Sequence, residues 1–301
     1  MRYQKIIIFF LSLVCISTGC VKMNQSDRER DVAISSPQNL PLFGNKVLFF
    51  GDSITEFTYK GKGLVDYFRE ASGTITYNSA VGGSRFSQRK TPTLTPKSEA
   101  EARAALDMCN MVKAWVNNDF ALQDAANNWL ISSTAYDYTP QICALKDIQI
   151  SDIDYIIIGG GGDYARGIPF GSEDDSVFTT INGAINSIVG MLLAAKPSVK
   201  IVFYSGCVSY YNNIRDDEHW SDNYVYSAYD KTKPQLIDLI EKQVSSWNVP
   251  YINLYRTLDW NQQNFSNYFL LTDGTHPYKG FGVLGYRIYQ EVLTIFQSSD
   301  D

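Results

Sequence analysis

Short apolar runs alternate with longer segments of helical periodicity along most of the chain. The apolar runs predict strands at residues 46–50, 74–77, 153–158, 199–204 and 249–254. The amphipathic segments predict helices at residues 63–71, 98–116, 119–130, 176–195, 231–247 and 278–296. Such alternation is typical of an α/β protein with a parallel sheet covered on both faces. We therefore predict one α/β domain over residues 44–298, with a helical insertion at about 88–150.

The first twenty residues have the pattern of an export signal. Arg2 and Lys5 flank the start of an apolar run at 6–16, which is too short to span a bilayer as a helix. The following Ser-Thr-Gly-Cys resembles a bacterial lipobox, with Ser17 where Leu is usual. We predict a lipoprotein signal peptide at 1–19, lipidation of Cys20 and a lipid-anchored protein of the bacterial cell envelope. An ordinary signal peptide with an incidental cysteine is the alternative.

The polar segment that follows has no periodicity and predicts a tether at residues 20–43. Of the 301 residues, 45% are hydrophobic and 19% charged, which is enough apolar material for a sizeable core. The formal net charge of −6 argues against nucleic-acid binding, which requires a basic face. We therefore expect no nucleic-acid partner. We also expect a monomer that is held at a membrane through its lipid.

The cysteines beyond the export segment are Cys109, Cys143 and Cys207. Their odd number and the lack of a Cys-x-x-Cys pair argue against a disulfide framework and against a zinc site. A bridge between Cys109 and Cys143 stays open for an exported protein.

Glycine and short polar residues follow the predicted strands at one edge of the sheet. They form the segments 51–55, 78–84 and 159–163, and a fourth such segment at 273–277 precedes the last helix. Any one of them could be ordinary turn chemistry. Together they predict a ligand site, because open parallel sheets bind ligands beyond the carboxyl ends of their strands.

A serine and a histidine among these segments could act together. A serine hydroxyl needs a base to become a nucleophile, and histidine is the usual base near neutral pH. The chain has only two histidines, and His219 lies in an acidic stretch. His276 follows Asp273 by three residues, so that one ring nitrogen could bind the carboxylate and the other face Ser53. This is the composition of a catalytic triad in the chain order Ser, Asp, His.

Residues 51–55, Gly-Asp-Ser-Ile-Thr, and 273–277, Asp-Gly-Thr-His-Pro, resemble the nucleophile and terminal motifs of the SGNH, or GDSL, hydrolase family. The resemblance covers about residues 44–297. It implies a three-layer α/β/α sandwich with a flavodoxin-like parallel sheet of about five strands. It also implies hydrolysis of esters or thioesters, including O-acetyl groups on sugars, without a metal or an organic cofactor.

The same resemblance assigns residue roles. It implies that Ser53 is the nucleophile, His276 the base and Asp273 the residue that orients the base. The backbone N–H groups of Ser53 and Gly83 would bind the oxyanion. Gly162 stands where the family has an asparagine that also donates to the oxyanion.

The loss of one oxyanion donor typically lowers kcat by about 10²–10³-fold. Arg85 or an asparagine from a loop could replace the missing donor. The glycine run is not a Walker loop, because no Lys-Ser or Lys-Thr follows it. A dinucleotide fingerprint is also disfavoured, because Gly167 and Pro169 interrupt the helix that it would open.

With this resemblance we predict a serine esterase that forms an acyl-enzyme and takes a small-molecule or glycan ester, with O-acetyl groups on carbohydrate as the leading substrate. A fatty-acyl esterase is the second enzymatic hypothesis. The third is a surface lipoprotein with weakened catalysis that binds glycans.

Overall fold

The computed structural model describes residues 40–160, 162–270 and 272–297. They belong to one compact unit, Gln38–Asp301. The predicted signal peptide, the lipidation site at Cys20 and most of the predicted tether lie outside the described residues. Leu42, assigned to the end of the tether, is 4% exposed and packs in the core, so the packed domain begins slightly before residue 44.

The central sheet has five parallel strands, as the sequence predicts. They are β1 (Lys46–Phe50), β4 (Ile75–Asn78), β5 (Tyr155–Gly159), β6 (Lys200–Tyr204) and β9 (Tyr251–Ile252). Their order across the sheet is β4-β1-β5-β6-β9, the flavodoxin-like order. All five residues of β5 are buried, as expected for a β-branched run covered on both faces. The last strand is shorter than predicted, because a helix begins at Leu254.

Two short antiparallel pairs lie outside this sheet, and the sequence pattern does not predict them. The first joins β2 (Thr58–Tyr59) to β3 (Lys62–Gly63), and the second joins β7 (Val225–Tyr226) to β8 (Lys231–Thr232). Each strand has only two residues, which is too short for a recognisable period.

Helices cover both faces of the sheet. In chain order they are α1 (Ser53–Glu56), α2 (Leu64–Ser72), α3 (Glu99–Ala105), α4 (Met108–Asn117), α5 (Ala121–Ser133), α6 (Thr139–Lys146), α7 (Ile181–Ala195), α8 (Lys233–Ser245), α9 (Leu254–Thr257), α10 (Phe265–Tyr268) and α11 (Phe281–Gln297). Helices α2 and α11 pack on one face with the side chains of Val47 and Phe49, and α4, α7 and α8 pack on the other with Leu48 and Phe50. The predicted three-layer α/β/α sandwich is confirmed.

Parallel pairing brings the loops after the strands to one edge. Phe50 at the end of β1 pairs with Ile158 of β5, so that Gly51 and the glycine run after β5 leave the sheet side by side. On the other flank, Phe49 pairs with Asn78, which places the start of residues 78–84 at the same edge.

The insertion predicted at about 88–150 contains α3 to α6. The prediction of one helix over residues 98–116 is wrong, because α3 ends at Ala105 and α4 begins at Met108. Asp107 lies between them with an extended backbone, φ −66° and ψ 145°. Its carboxylate is fully buried and accepts from the backbone N–H of Arg89 at 2.9 Å and from its Nη2 at 2.7 Å. This long-range ion pair, rather than local propensity, ends the first helix.

The three cysteines of the domain are free thiols, with Cys109 and Cys207 buried and Cys143 exposed. The bridge between Cys109 and Cys143 that the sequence left open is therefore not formed. No helix within residues 40–160, 162–270 and 272–297 is long and apolar enough to cross a membrane.

We expect Asp107→Ala to lower the free energy of unfolding by about 3–5 kcal/mol, because it leaves a buried guanidinium without its counter-ion. Urea denaturation measures this change. Asp124→Ala is the matched control, since it removes an ion pair with Lys146 whose side chains are 49% and 37% exposed. That control should lose only about 0–1 kcal/mol. Similar small losses in both variants would contradict the structural role of Asp107.

Candidate active site

Ser53 is the first residue of the short helix α1, which begins directly after β1. Asp52 caps this helix, its Oδ1 accepting from the backbone N–H of Ile54 at 3.0 Å. Gly51 is required before it, because a Cβ there would collide with the side chain of Thr55. The serine hydroxyl is therefore held at a sharp turn from strand to helix, at the carboxyl edge of the sheet.

Two hydrogen bonds of Thr55 hold α1 in place. The hydroxyls of Thr55 and Tyr204 lie 2.5 Å apart in the buried interior. The side-chain amide of Asn78 donates to the Thr55 carbonyl at 3.1 Å, and its oxygen accepts from Ala80 N–H at 3.1 Å. The helix is thereby tied to β6 and to the loop after β4.

The structure brings Ser53, His276 and Asp273 into one hydrogen-bonded chain. Ser53 Oγ and His276 Nε2 are 2.8 Å apart, although 223 residues separate them. His276 Nδ1 and Asp273 Oδ2 are also 2.8 Å apart. With Nδ1–H donating to the carboxylate, Nε2 is free to accept the serine proton. This is the geometry that a nucleophile, a base and an orienting acid require.

Asp273 stays ionised beside the imidazole. Partial burial raises the pKa of its carboxyl, but the backbone N–H groups of His276 and Thr275 and the His276 ring outweigh burial, and the net pKa is lowered. Those N–H groups donate to Oδ1 at 2.9 and 2.8 Å. Oδ2 is thus left for the ring. The Phe57 and Tyr278 rings flank the imidazole, at centroid distances of 5.0 and 5.6 Å.

Asn213 is a positioning residue that sequence reasoning missed. Its Oδ1 accepts from Gly274 N–H and from Thr275 Oγ1, both at 3.0 Å. The backbone N–H of Tyr210 donates to the Gly274 carbonyl at 2.8 Å, so a second contact holds the same loop. Asn213 and its neighbour Asn212 both have positive φ, 60° and 52°. The Asn-Asn pair was the available signal, because asparagine tolerates this region better than most residues.

His219 shows that the aspartate–histidine spacing alone does not make a site. Its Nδ1 lies 2.6 Å from Asp216 Oδ1, which repeats the three-residue separation of the other pair. In the described part of the chain its ring stacks on Tyr224, with centroids 5.8 Å apart, and no serine hydroxyl bonds to it. The sequence-based placement of His219 outside the catalytic chemistry agrees with this geometry.

A cavity of about 590 Å³ opens in front of the nucleophile, and its lining includes Ser53 and Gly83. Gly83 has φ 73° and its carbonyl accepts from Arg89 Nη2. The preceding carbonyl, that of Gly82, accepts from Arg103 Nη1 at 2.8 Å. These contacts hold the carbonyls of residues 82 and 83, which form the predicted oxyanion loop. The assignment of oxyanion donors to Ser53 and Gly83 stays a prediction.

The glycine run after β5 lies next to the nucleophile turn. Gly160, at φ 118°, approaches Asp52 so closely that an added Cβ would lie 3.1 Å from Asp52 Oδ2. Gly161 lies outside the described residues. Gly162 is described and does not belong to the lining of the cavity. Apart from its chain neighbours, no described residue lies within 4 Å of a Cβ added there. The backbone of Gly162 also lies outside the positive-φ region.

Asp163, the last residue of that run, is fully buried. Burial raises the pKa of its carboxyl, against hydrogen bonds from Ser87 and Phe86. The backbone N–H groups of Phe86 and Ser87 donate to it at 3.0 and 2.9 Å, and the Ser87 hydroxyl donates to it as well. Asp163 therefore joins the loop after β5 to the segment that follows Gly83.

The fold is shared with known structures. No protein-family profile matches the chain, and no curated protein sequence does. A solved structure from Lactobacillus plantarum is 18% identical, with 84% of this chain and 98% of that chain covered and a TM-score of 0.57. At that identity the similarity shows a common fold.

Two further structures are more distant. One, described as a possible lipase from Chitinophaga pinensis DSM 2588, is 16% identical over 83% of this chain and 98% of its own, with a TM-score of 0.48. The other, a member of the lipolytic protein G-D-S-L family from Veillonella parvula DSM 2008, is 15% identical over 83% and 99%, with a TM-score of 0.45. Both are too distant to support a conclusion about activity.

Asn213→Gly should slow the labelling of Ser53 by a fluorophosphonate on the order of tenfold, because the loop that carries His276 loses two hydrogen bonds of about 1 kcal/mol each. Glycine keeps the positive φ of the position, so backbone strain does not enter. The labelling rate is measured by mass spectrometry. Asn212→Gly is the control, since it changes a neighbouring residue of the same conformation, and it should label at the original rate. Equal rates in both variants would show that Asn213 does not position the loop.

Proposed function

We propose that this protein is a serine hydrolase of the SGNH, or GDSL, type that cleaves carboxylic esters through an acyl-enzyme. The observation that carries the proposal is the hydrogen-bonded chain from Ser53 through His276 to Asp273, with both links at 2.8 Å. The shared α/β/α fold and the two motifs that resemble the family support it.

In the proposed reaction Ser53 Oγ attacks the ester carbonyl carbon while its proton passes to His276 Nε2. The negative charge on the carbonyl oxygen is stabilised by the backbone N–H groups of Ser53 and Gly83. Collapse of this intermediate breaks the bond to the alcohol, which leaves with the proton from His276. A water molecule then attacks the acyl-enzyme with His276 as base, and the carboxylic acid is released as Ser53 regains its proton.

For the substrate we propose O-acetyl groups on carbohydrate. The cavity lining mixes charged side chains with aromatic ones, among them Phe57, Tyr136 and Tyr138. Such a surface suits a hydroxyl-rich alcohol with a small acyl group. A long fatty-acyl chain would need a continuous apolar channel, so this second hypothesis is disfavoured.

The proposed site of action is the bacterial cell envelope, with the chain anchored by a lipid on Cys20. The export pattern of residues 1–19 supports this proposal. Labelling of cells with a radioactive fatty acid should mark the wild-type protein and not Cys20→Ala. Labelling of neither would leave an ordinary signal peptide as the explanation, and equal labelling of both would overturn the assignment of the lipid to Cys20.

Ser53→Ala and His276→Ala should each lower kcat for p-nitrophenyl acetate by about 10³-fold or more, and the double variant should be little worse. Triad members act as one unit, so removal of a second member costs little once the first is gone. His219→Ala is the matched control, because it removes the only other histidine together with its own aspartate contact. It should retain activity. Turnover near normal in a folded His276→Ala protein would refute the assigned base.

Gly162→Asn should raise kcat with a smaller effect on KM, if the asparagine restores a donor that acts on the transition state. The position has room for a Cβ, since an added Cβ meets no atom of the described residues within 4 Å apart from its chain neighbours. Gly162→Asp is the control, because it has the same shape without the N–H donor. A folded Gly162→Asn protein with unchanged or lower turnover would contradict a depleted oxyanion hole and favour a substitute donor. Glycan binding without turnover in any form would favour the non-catalytic binding protein.

A further inference from the structure

The cavity in front of Ser53 collects positive charge on a protein whose formal net charge is −6. Its lining includes four arginines, which come from the loop after β4, the insertion and the loop after β5: Arg85, Arg89, Arg103 and Arg166. The lining also holds three acids, Glu56, Glu99 and Asp137. An arginine that no acid pairs with must be neutralised by solvent or by a ligand.

Two of these arginines are committed to the protein. Arg89 donates to the buried Asp107 carboxylate and to the Gly83 carbonyl. Arg103 donates to Glu99 at 2.6 Å and lies 4.2 Å from the centre of the Tyr136 ring. Only 12% of each of these two arginine side chains is exposed. They brace the wall of the cavity and have few donors left for a ligand.

Arg85 and Arg166 are different. Among the described residues neither guanidinium group has a hydrogen bond or an ion pair, although the backbone of each residue is hydrogen-bonded. Arg85 is half-buried and Arg166 exposed. Burial lowers the pKa of the Arg85 guanidinium, and the charges of Arg89 and Arg166 lower it further. A partly buried cation that repels its neighbours is costly unless an anion approaches it.

The acidic side chains that line the cavity have hydrogen-bond partners other than Arg85 and Arg166. Glu99 pairs with Arg103. Glu56 accepts from the Gln141 side chain at 3.1 Å, and Asp137 accepts from the Thr139 backbone N–H at 2.9 Å. Asp107 and Asp163, which attract Arg85 from a distance, have their oxygens engaged by Arg89 and by residues 86–87. The cavity therefore presents two cations whose hydrogen-bond donors have no partner in the described chain.

We propose that Arg85 and Arg166 form a subsite for an oxyanion carried by the alcohol portion of the substrate, so that the ester cleaved at Ser53 belongs to an acidic molecule. A planar guanidinium fits a carboxylate, sulfate or phosphate through paired N–H donors. The inference rests on the proposed function for the identity of the reaction, and it adds the charge of the substrate.

The test compares acetate esters of matched shape on the full chain: 4-acetoxybenzoate and 4-acetoxybenzenesulfonate as anions, and methyl 4-acetoxybenzoate as the neutral ester. Arg85→Gln and Arg166→Gln should each lower the ratio of kcat/KM for an anionic ester to that for the neutral ester by about tenfold, mainly through KM, because each loses a charge-assisted hydrogen bond. Lys90→Gln removes an exposed cation outside the cavity lining and should keep the ratio. A selective loss on one anion identifies which oxyanion the subsite prefers.

An equal loss on all three esters would overturn the subsite and would instead make Arg85 a donor to the reacting centre. An unchanged ratio would overturn it as well. Calorimetric titration of 4-hydroxybenzoate and of inorganic phosphate into the Ser53→Ala chain separates this proposal from the proposed function. Anion binding that Arg85→Gln or Arg166→Gln abolishes supports the subsite even if no ester is hydrolysed. If the Ser53→Ala chain with both arginines binds neither anion, the subsite is overturned even if the wild-type chain hydrolyses esters.

Discussion

The side chain of Asp163 is fully buried, and it joins two loops that are distant in sequence. It accepts hydrogen bonds from Phe86 N–H, Ser87 N–H and the Ser87 hydroxyl. A buried carboxyl group is tolerated only when its oxygens are hydrogen-bonded. The loop after β5 and the segment after Gly83 must therefore adopt one relative position. Both segments contribute to the wall in front of Ser53, since Arg85 precedes the donors and Arg166 follows the acceptor.

A second buried carboxylate extends this framework into the insertion. Asp107 interrupts the helical segment at 98–116 and holds Arg89, which in turn binds the Gly83 carbonyl. The two acids thus hold the segment at residues 83–89, which includes Gly83 of the predicted oxyanion loop. Rigid support of this kind matters for catalysis, because oxyanion donors act only when they are already aimed at the developing charge.

The other half of the site depends on a separate set of contacts. Ser53 is positioned by the turn between β1 and α1, whereas His276 lies on a loop that Asn213 holds through hydrogen bonds. The 2.8 Å contact between Ser53 Oγ and His276 Nε2 therefore depends on both segments being held in place separately. The arginines of the cavity come together through the same convergence, because they lie on separate segments of a chain whose formal net charge is −6.

The sequence by itself determined the sheet, its flanking helices and the residues that meet at Ser53. Strand and helix periods are local, and the motif around Ser53 follows a strand, whose carboxyl end parallel pairing brings to the common edge of the sheet. The motif around His276 is recognised from its resemblance to the terminal motif of the family. Only the tertiary structure decided the break at Asp107, the support from Asn213 and the two unpartnered arginines. Each of these depends on how residues that are distant in sequence come together. Neither a buried charge nor an asparagine with positive φ has a periodic signal in the sequence that identifies its partner.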